Sequence, residues 1–187
     1  MKSRQQENQL RIIAGRWRGR KISFAPVPGL RPTPDRVRET LFNWLDPFLQ
    51  GARCLDLFAG SGALGIEAAS RGAAQVVMVD YDPVVVSTLR EQLQKLEFSE
   101  ALLVQQDVNS WLQAKAEPFD IVFLDPPFRE NRLPACIGLL EEHGWLAAGA
   151  RVYIEAEKAY SPELPDSWDL YRSKSAGQVG YHLARRE

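Results

Sequence analysis

The chain has 187 residues, of which 45% are hydrophobic and 25% charged, and its formal net charge is −1. This composition is typical of a globular protein with one main core and room for a small appendage. No stretch approaches the roughly 18 apolar residues of a membrane span, and the first nine residues contain no apolar leader. We therefore expect a cytoplasmic protein with one main domain.

Positive charge is concentrated at the amino terminus. Residues 1–40 carry a net charge of +7, so the remaining 147 residues carry −8. Inside this basic segment, apolar pairs that fit the strands of a hairpin flank a loop containing Trp17. The candidate phosphate ligands of the hairpin are Arg16, Arg18, Arg20 and Lys21. Because arginine binds phosphates and tryptophan can stack on a base, the segment is a candidate RNA-binding hairpin; a solvated hairpin that only maintains solubility is the alternative.

A connector rich in proline and glycine, residues 26–34, ends in signals for a helix. Thr33 is predicted to cap this helix and Pro34 to occupy its first position. The apolar spacing that follows places Arg38 on the face opposite the apolar stripe. We predict that residues 1–32 form a basic extension and that residues 33–187 form the main domain.

From Arg53 onward, apolar strand patterns alternate with helical ones, which is typical of a doubly wound, mostly parallel sheet. The first strand, residues 54–58, runs directly into a loop with the spacing G-x-G-x-x-G. Its glycines are Gly60, Gly62 and Gly65. This spacing permits a tight turn and close approach of a ligand to bare backbone. The loop predicts a nucleotide-like ligand at the carboxyl edge of the sheet.

Acidic side chains follow the apolar runs at this edge. Asp56 lies within the first strand, where it can hold the loop or a cationic ligand group. Asp80 ends the second strand, twenty residues after Gly60, at the place where nucleotide-binding folds grip ribose hydroxyls. Asp82 is a rival for that role, and Asp107 lies at the tip of the third strand.

The fourth strand, residues 121–124, is followed by Asp125-Pro126-Pro127-Phe128. Two consecutive prolines remove two backbone donors, so a carboxylate and stiff carbonyls remain as acceptors beside an aromatic face. The complement of such a cluster is a primary amino group on a flat ring. A simple proline turn is the alternative interpretation of the tetrapeptide alone.

The glycine loop alone does not separate dehydrogenases and flavoproteins from methyltransferases. A dehydrogenase would usually need a second domain for its substrate, and a hydride-transfer site has no use for the acceptor cluster at Asp125. The combination favours S-adenosylmethionine as cofactor and methylation of an amino group. Neither cysteine has a partner at metal-ligand spacing, so we predict no metal.

The chain resembles the RsmD family, 16S rRNA guanine-N2 methyltransferases of the class I fold. The resemblance covers almost the whole sequence and rests on residues 11–15, 19–20, 30–39, 56–65 and 125–128. It implies a Rossmann-like sheet of seven strands with an antiparallel C-terminal hairpin. It also implies methyl transfer from S-adenosylmethionine, without a metal, to guanine 966 of 16S rRNA. The expected partner is this rRNA, or the small ribosomal subunit or its assembly intermediate, and we expect a monomer.

Residue patterns and resemblance together give a set of candidate site residues. The candidate catalytic residues are Asp125, Pro126 and Phe128. The candidate cofactor ligands are Asp56, Phe58, Gly60, Gly62, Gly65, Asp80 and Asp107. The candidate RNA ligands are Arg16, Arg18, Arg20, Lys21, Arg31 and Arg129. Two other functions stay open: an adenine-N6 methyltransferase acting on DNA or RNA, and a nucleotide-dependent RNA-binding factor without catalysis.

Overall fold

The structure, a computed structural model, describes residues 8–128 and 130–187. Its first element is a small antiparallel pair, β1 (Gln9–Arg11) and β2 (Lys21–Ser23), in which Leu10 lies opposite Ile22. Both of these apolar side chains are buried in the main core. The basic hairpin therefore packs against the rest of the protein.

The remaining elements alternate as the sequence predicts. The strands are β3 (Arg53–Asp56), β4 (Gln75–Asp80), β5 (Ala101–Gln105), β6 (Phe119–Leu124), β7 (Leu146–Glu157), β8 (Trp168–Ala176) and β9 (Val179–Arg186). The helices are α1 (Asp35–Leu49), α2 (Ala63–Ser70), α3 (Pro83–Leu96), α4 (Val108–Leu112) and α5 (Leu133–Glu142). Within the described ranges, no helix is both long and apolar enough to cross a membrane.

Strands β3 to β9 form one sheet in the order β5-β4-β3-β6-β7-β9-β8. Strands β3 to β7 pair in parallel, and β9 pairs antiparallel with both β7 and β8. The side chains of one sheet face pack with α1, α2, α3 and the basic hairpin, and those of the other face pack with α4 and α5. The sheet is thus doubly wound, and the predicted class I methyltransferase fold with its antiparallel C-terminal hairpin is confirmed.

The chain order reverses between β3 and β6, because β4 and β5 lie on one side of β3 while β6 lies on the other. In open α/β sheets, ligands bind outside the carboxyl ends of the strands at such a switch point. The glycine loop follows β3, and Asp125 follows β6, so both lie at this position.

The hairpin loop is fixed to the last turns of α2 and α3. The buried carboxylate of Glu67 accepts the backbone N–H groups of Ile13 and Ala14 at 2.9 and 3.0 Å. Trp17 is only 4% exposed, and its ring packs edge-on against Phe98 at 5.5 Å between centroids. The prediction that Trp17 stacks on a base is therefore wrong, because its ring belongs to the core.

Two predictions about α1 are also wrong. Pro34 occupies the cap position, and Thr33 makes no capping bond, because its hydroxyl points to the carboxylates described below. Arg38 is fully buried and donates to Glu67, to the Arg11 carbonyl and to Asp35. The docked hairpin covers the face of α1 that the apolar pattern assigned to solvent.

Candidate active site

The glycine loop fits closely between β3 and α2. Gly62 adopts φ +77° at the start of α2, a left-handed conformation that favours glycine. A Cβ at Gly65 would lie 2.9 Å from Met78 Cε and 3.1 Å from Asp56 Oδ2. Gly65 is therefore needed for close packing of α2 on the sheet, as the spacing of the motif predicts.

Asp56 lies directly beneath this loop and is buried. Its Oδ2 accepts the Gly65 N–H at 3.0 Å, whereas its Oδ1 accepts no hydrogen bond from any described residue. Burial raises the pKa of Asp56, and the nearby backbone N–H groups of Gly65 and Phe58 oppose the rise, so that the pKa lies at about 7. A buried carboxyl oxygen without a partner is costly, so this atom is suited to a cationic ligand group.

Asp80 also holds the loop. Its Oδ2 accepts the Gly60 N–H and its Oδ1 accepts the Asp82 N–H, both at 3.0 Å. Burial raises the pKa of Asp80, and these two bonds oppose the rise. The carboxylate of Asp82 instead caps α3, accepting the N–H groups of Val84 and Val85. Of the two rival acids, Asp80 is therefore the one bonded to the glycine loop.

Asp107 caps α4 by accepting the Ser110 N–H at 3.1 Å, and it also accepts a hydrogen bond from Arg132. Burial by itself would raise the pKa of Asp107, but the bond to Arg132 lowers it below its usual value. The Arg132 guanidinium in turn lies 5.4 Å from the centre of the Phe58 ring. These contacts join the tips of β3, β5 and β6 around one crevice.

Asp125, Pro126, Pro127 and Phe128 leave the end of β6. The two prolines and Phe128 line a cavity of about 190 Å³, and Phe128 is 42% exposed. An aromatic ring exposed at a cavity wall is available to stack on a flat ligand. The structure therefore places Pro126 and Phe128 on the wall of one cavity, with Asp125 directly before them at the end of β6.

Asp125 has a neighbour that the sequence analysis missed. Glu155, at the end of β7, shares the Thr33 hydroxyl with Asp125: the distances from Thr33 Oγ1 are 3.4 Å to Asp125 Oδ2 and 3.3 Å to Glu155 Oε2. The Tyr153 hydroxyl donates to the same Glu155 oxygen at 2.8 Å. A carboxyl pair bridged by one hydroxyl thus forms the floor of the site.

Electrostatics in this pair favour protonation. Burial raises the pKa of Asp125 well above its usual range, and the charges of Glu155 and Asp56 raise it further. Burial likewise raises the pKa of Glu155, against the hydrogen bonds from Tyr153 and Thr33. Two adjacent acids in a partly dry site do not both ionise easily, so ligand N–H donors would relieve an unfavourable arrangement.

The candidate RNA ligands lie in different places. Arg16 and Arg20 are anchored beside the carboxyl ends of α2 and α3, where Arg16 donates its N–H to Ser70 and the Arg20 guanidinium donates to the Lys95 carbonyl. These helix ends lie at the amino edge of the sheet. Helix α3 has 14 residues, so its length of about 21 Å separates this loop from the crevice.

The other candidate cations that the structure describes are exposed. Arg18 and Lys21 are exposed in and beside the same loop. Arg31 is exposed on the connector near the crevice, between Leu30, which packs against Gly60, and the carboxyl pair. Arg129 lies outside the described residues. The structure therefore does not bring the hairpin arginines together with the catalytic candidates.

The chain is similar to known proteins over almost its whole length. The family described as "Conserved hypothetical protein 95" matches residues 10–185. "Ribosomal RNA small subunit methyltransferase D" of Escherichia coli is 51% identical over 180 residues, which are 96% of this chain and 91% of that protein. The protein of the same name in Haemophilus influenzae is 46% identical and covers 95% of this chain and 94% of its own length.

Solved structures agree with the observed fold. The Escherichia coli protein yhhF superposes with a TM-score of 0.88 at 52% identity, covering 96% of this chain and 98% of its own. A T. thermophilus 16S rRNA N2 G1207 methyltransferase (RsmC), solved with AdoMet and guanosine, superposes with a TM-score of 0.68. The superposition covers 96% of this chain and 50% of the RsmC chain, and the two sequences are 22% identical. At this identity the similarity shows a shared fold only.

Proposed function

The chain belongs to the RsmD family, whose family model matches residues 10–185. From this membership we propose that the protein methylates the N2 amino group of a guanine in 16S rRNA, with S-adenosylmethionine as methyl donor. By family resemblance the target is guanine 966. The substrate is the rRNA itself or the small subunit during its assembly. The observation that carries the proposal is the Asp125–Phe128 acceptor cluster, whose last three residues line a cavity, at the same edge of the sheet as the glycine loop.

The residues around the glycine loop fit S-adenosylmethionine, which carries cationic sulfonium and ammonium groups. The unpartnered, buried Oδ1 of Asp56 supplies a negative charge for the cationic part. Asp80 would hold the ribose hydroxyls and Asp107 the adenine amino group, while Phe58 offers an aromatic surface. Among the described residues, no group of three or more histidine, cysteine or acidic side chains is arranged to hold a metal ion.

When bound, S-adenosylmethionine supplies a methyl group that is already activated, so the task of the protein is to align the nucleophile. The exocyclic nitrogen of guanine is a weak nucleophile because its lone pair is delocalised into the ring. In the proposed reaction, Asp125 and the Pro126 carbonyl accept the two amino hydrogens, and the nitrogen can then become pyramidal. Phe128 stacks on the base and holds its plane.

Asp125 also supports the charge that develops during transfer. The nitrogen becomes cationic in the transition state, and an oriented carboxylate beside it lowers the barrier. Asp125 or bulk water then accepts the released proton. The guanine has to enter the crevice unstacked, which favours a loop or an incompletely assembled site over a regular duplex.

RNA binding is proposed to use two surfaces. Arg31 lies on the crevice side, where it can contact phosphates near the target nucleotide. The loop with Arg16, Arg18 and Arg20 lies at the far edge of the sheet, so it would contact a separate part of a folded RNA. Both contacts are electrostatic and should weaken with salt.

The test is single-turnover methylation of 16S rRNA or small subunits by Asp125→Ala and Asp125→Asn. Both variants should lose roughly 10²-fold or more in rate, the scale of losing one oriented transition-state partner, with little change in cofactor affinity. Since the fold raises the pKa of Asp125, the ionised form is unfavourable in the folded protein, so the uncharged Asp125→Asn should not lower the melting temperature.

Asp169→Asn is the matched control, because Asp169 is exposed on β8 in an ion pair with Arg185. This control should methylate at the wild-type rate. If Asp125→Ala also keeps a rate close to that of the wild type, with fold and cofactor affinity intact, the amino-acceptor mechanism is wrong.

A further inference from the structure

Glu155 is a buried acid placed beside the proposed methylation site. Leu124 of β6 pairs with Ile154 of β7, so the next residues, Asp125 and Glu155, lie side by side, and Glu155 itself continues in the sheet opposite Tyr181 of β9. Glu155 is only 5% exposed, yet it lines the same cavity as Pro126 and Phe128. Its carboxyl group therefore contributes to the wall that a bound base would meet.

The two oxygens of Glu155 have different environments. Oε2 accepts the hydroxyls of Tyr153 and Thr33, which fix the orientation of the carboxyl group. No described residue donates a hydrogen bond to Oε1. The cation on the same cavity wall, Arg132, pairs instead with Asp107 and Glu130. One oxygen is thus held in place while the other remains available to a ligand.

A purely structural role does not account for this arrangement. Two neighbouring buried acids destabilise the fold when both are charged, and a hydrophobic or amide side chain would avoid that cost. The arrangement becomes favourable when a ligand supplies N–H donors to both carboxyl groups. A flat group with adjacent N–H donors would fit this pair of acceptors.

Guanine and adenine differ in the hydrogen-bond donors that they present along one edge of the base. Guanine presents N1–H and the N2 amino group side by side, so two acids can accept from it. Adenine presents a lone pair at N1, which would face a carboxylate oxygen without a hydrogen between them. The carboxylate oxygen would then be buried without a hydrogen-bond donor, so adenine would bind much more weakly than guanine.

Resting on the proposed function, we infer that Glu155 is the residue that selects guanine: its Oε1 accepts the guanine N1–H while Asp125 holds the N2 amino group. Tyr153 and Thr33 are positioning residues that hold Glu155 in the required orientation. This arrangement favours guanine over adenine, the base on which the alternative enzymatic function would act.

The test uses RNA in which the guanine methylated by the wild-type protein is replaced by 2-aminopurine. This base keeps the N2 amino group but has a lone pair at N1. The wild-type protein should methylate guanine roughly tenfold to hundredfold faster than 2-aminopurine. Glu155→Gln replaces an acceptor by an amide that can donate to N1, so it should slow guanine methylation and accelerate that of 2-aminopurine.

The ratio of the two rates is the decisive measurement. In Glu155→Gln the preference for guanine should fall at least tenfold, whereas in the control Glu142→Gln, at an exposed site on α5, it should be unchanged. An unchanged ratio in a Glu155→Gln protein with normal melting temperature and cofactor affinity would overturn the inference. So would equal rates on both bases in the wild-type protein, a result that needs no variant. Failure to methylate any guanine would instead refute the proposed function.

Discussion

Cofactor binding should release a proton from Asp56. In the protein without ligand, burial and, to a smaller extent, the nearby charge of Asp80 raise the pKa of Asp56 to about 7. If the cationic part of S-adenosylmethionine lies against the unpartnered Oδ1, it stabilises the ionised form and lowers this pKa. The free protein would then hold a proton that the complex lacks, so affinity should rise with pH up to about 7 and level off above it.

The size of the effect follows from that pKa. With a folded pKa of about 7, Asp56 is about 90% protonated at pH 6, half protonated at pH 7 and about 10% protonated at pH 8. Titration calorimetry in buffers of different ionisation enthalpy should therefore count about 0.9, 0.5 and 0.1 protons released per cofactor at these pH values. The dissociation constant at pH 6 should be about tenfold weaker than its limit at high pH.

Asp56→Asn provides the control for this prediction, because its amide oxygen can still accept the Gly65 N–H. The variant should bind the cofactor more weakly and should release almost no protons between pH 6 and 8. If the wild-type protein releases no proton at pH 6, or if the variant releases as many as the wild type, Asp56 does not contact the cationic part of the cofactor.

Three further predictions concern the cofactor, the RNA and the fold. Asp80→Ala should weaken S-adenosylmethionine binding by about 1–3 kcal/mol in calorimetry, and unchanged affinity would remove the ribose role from Asp80. Arg18→Glu and Arg31→Glu should each lower RNA affinity and flatten its salt dependence without affecting cofactor binding; an unchanged slope for Arg18 would support a hairpin that only maintains solubility. Arg38→Met leaves the buried carboxylate of Glu67 with fewer partners and should lower the free energy of unfolding in urea by about 3 kcal/mol, whereas a loss of under about 0.5 kcal/mol would contradict the role of this ion pair.

The alternation of strands and helices and the location of the site could be predicted from local sequence. Apolar runs that end in Asp80 and Asp125 identify buried parallel strands, and parallel strands bring their carboxyl ends to one edge. The glycine spacing then places the crevice beside the first of these strands. These signals are short range, so a single sequence contains them.

The role of the basic hairpin could not be predicted in the same way. Charge along the chain indicates an exposed segment, but it does not reveal that Glu67 accepts the backbone of the hairpin loop. This long-range contact buries both Trp17 and Arg38, which local patterns assign to RNA and to solvent. Periodicity describes one helix at a time and cannot identify what covers its polar face.

Glu155 was missed although a signal for it was present. It ends the apolar run of β7 just as Asp125 follows that of β6, so the same rule applied to one more strand would have selected it. The contribution of Thr33 had no such signal, because its hydroxyl reaches Asp125 across 92 residues of sequence and Glu155 across 122. A residue that suits a helix cap can equally donate to a carboxylate elsewhere.

The most direct test of the central claim is to incubate the protein with labelled S-adenosylmethionine and either 16S rRNA or small subunits from cells that lack the enzyme, and then to map the modified nucleotide. We expect one labelled N2-methylguanosine in 16S rRNA. Label in N6-methyladenosine, or no transfer to either substrate by a folded protein that binds the cofactor, would contradict it.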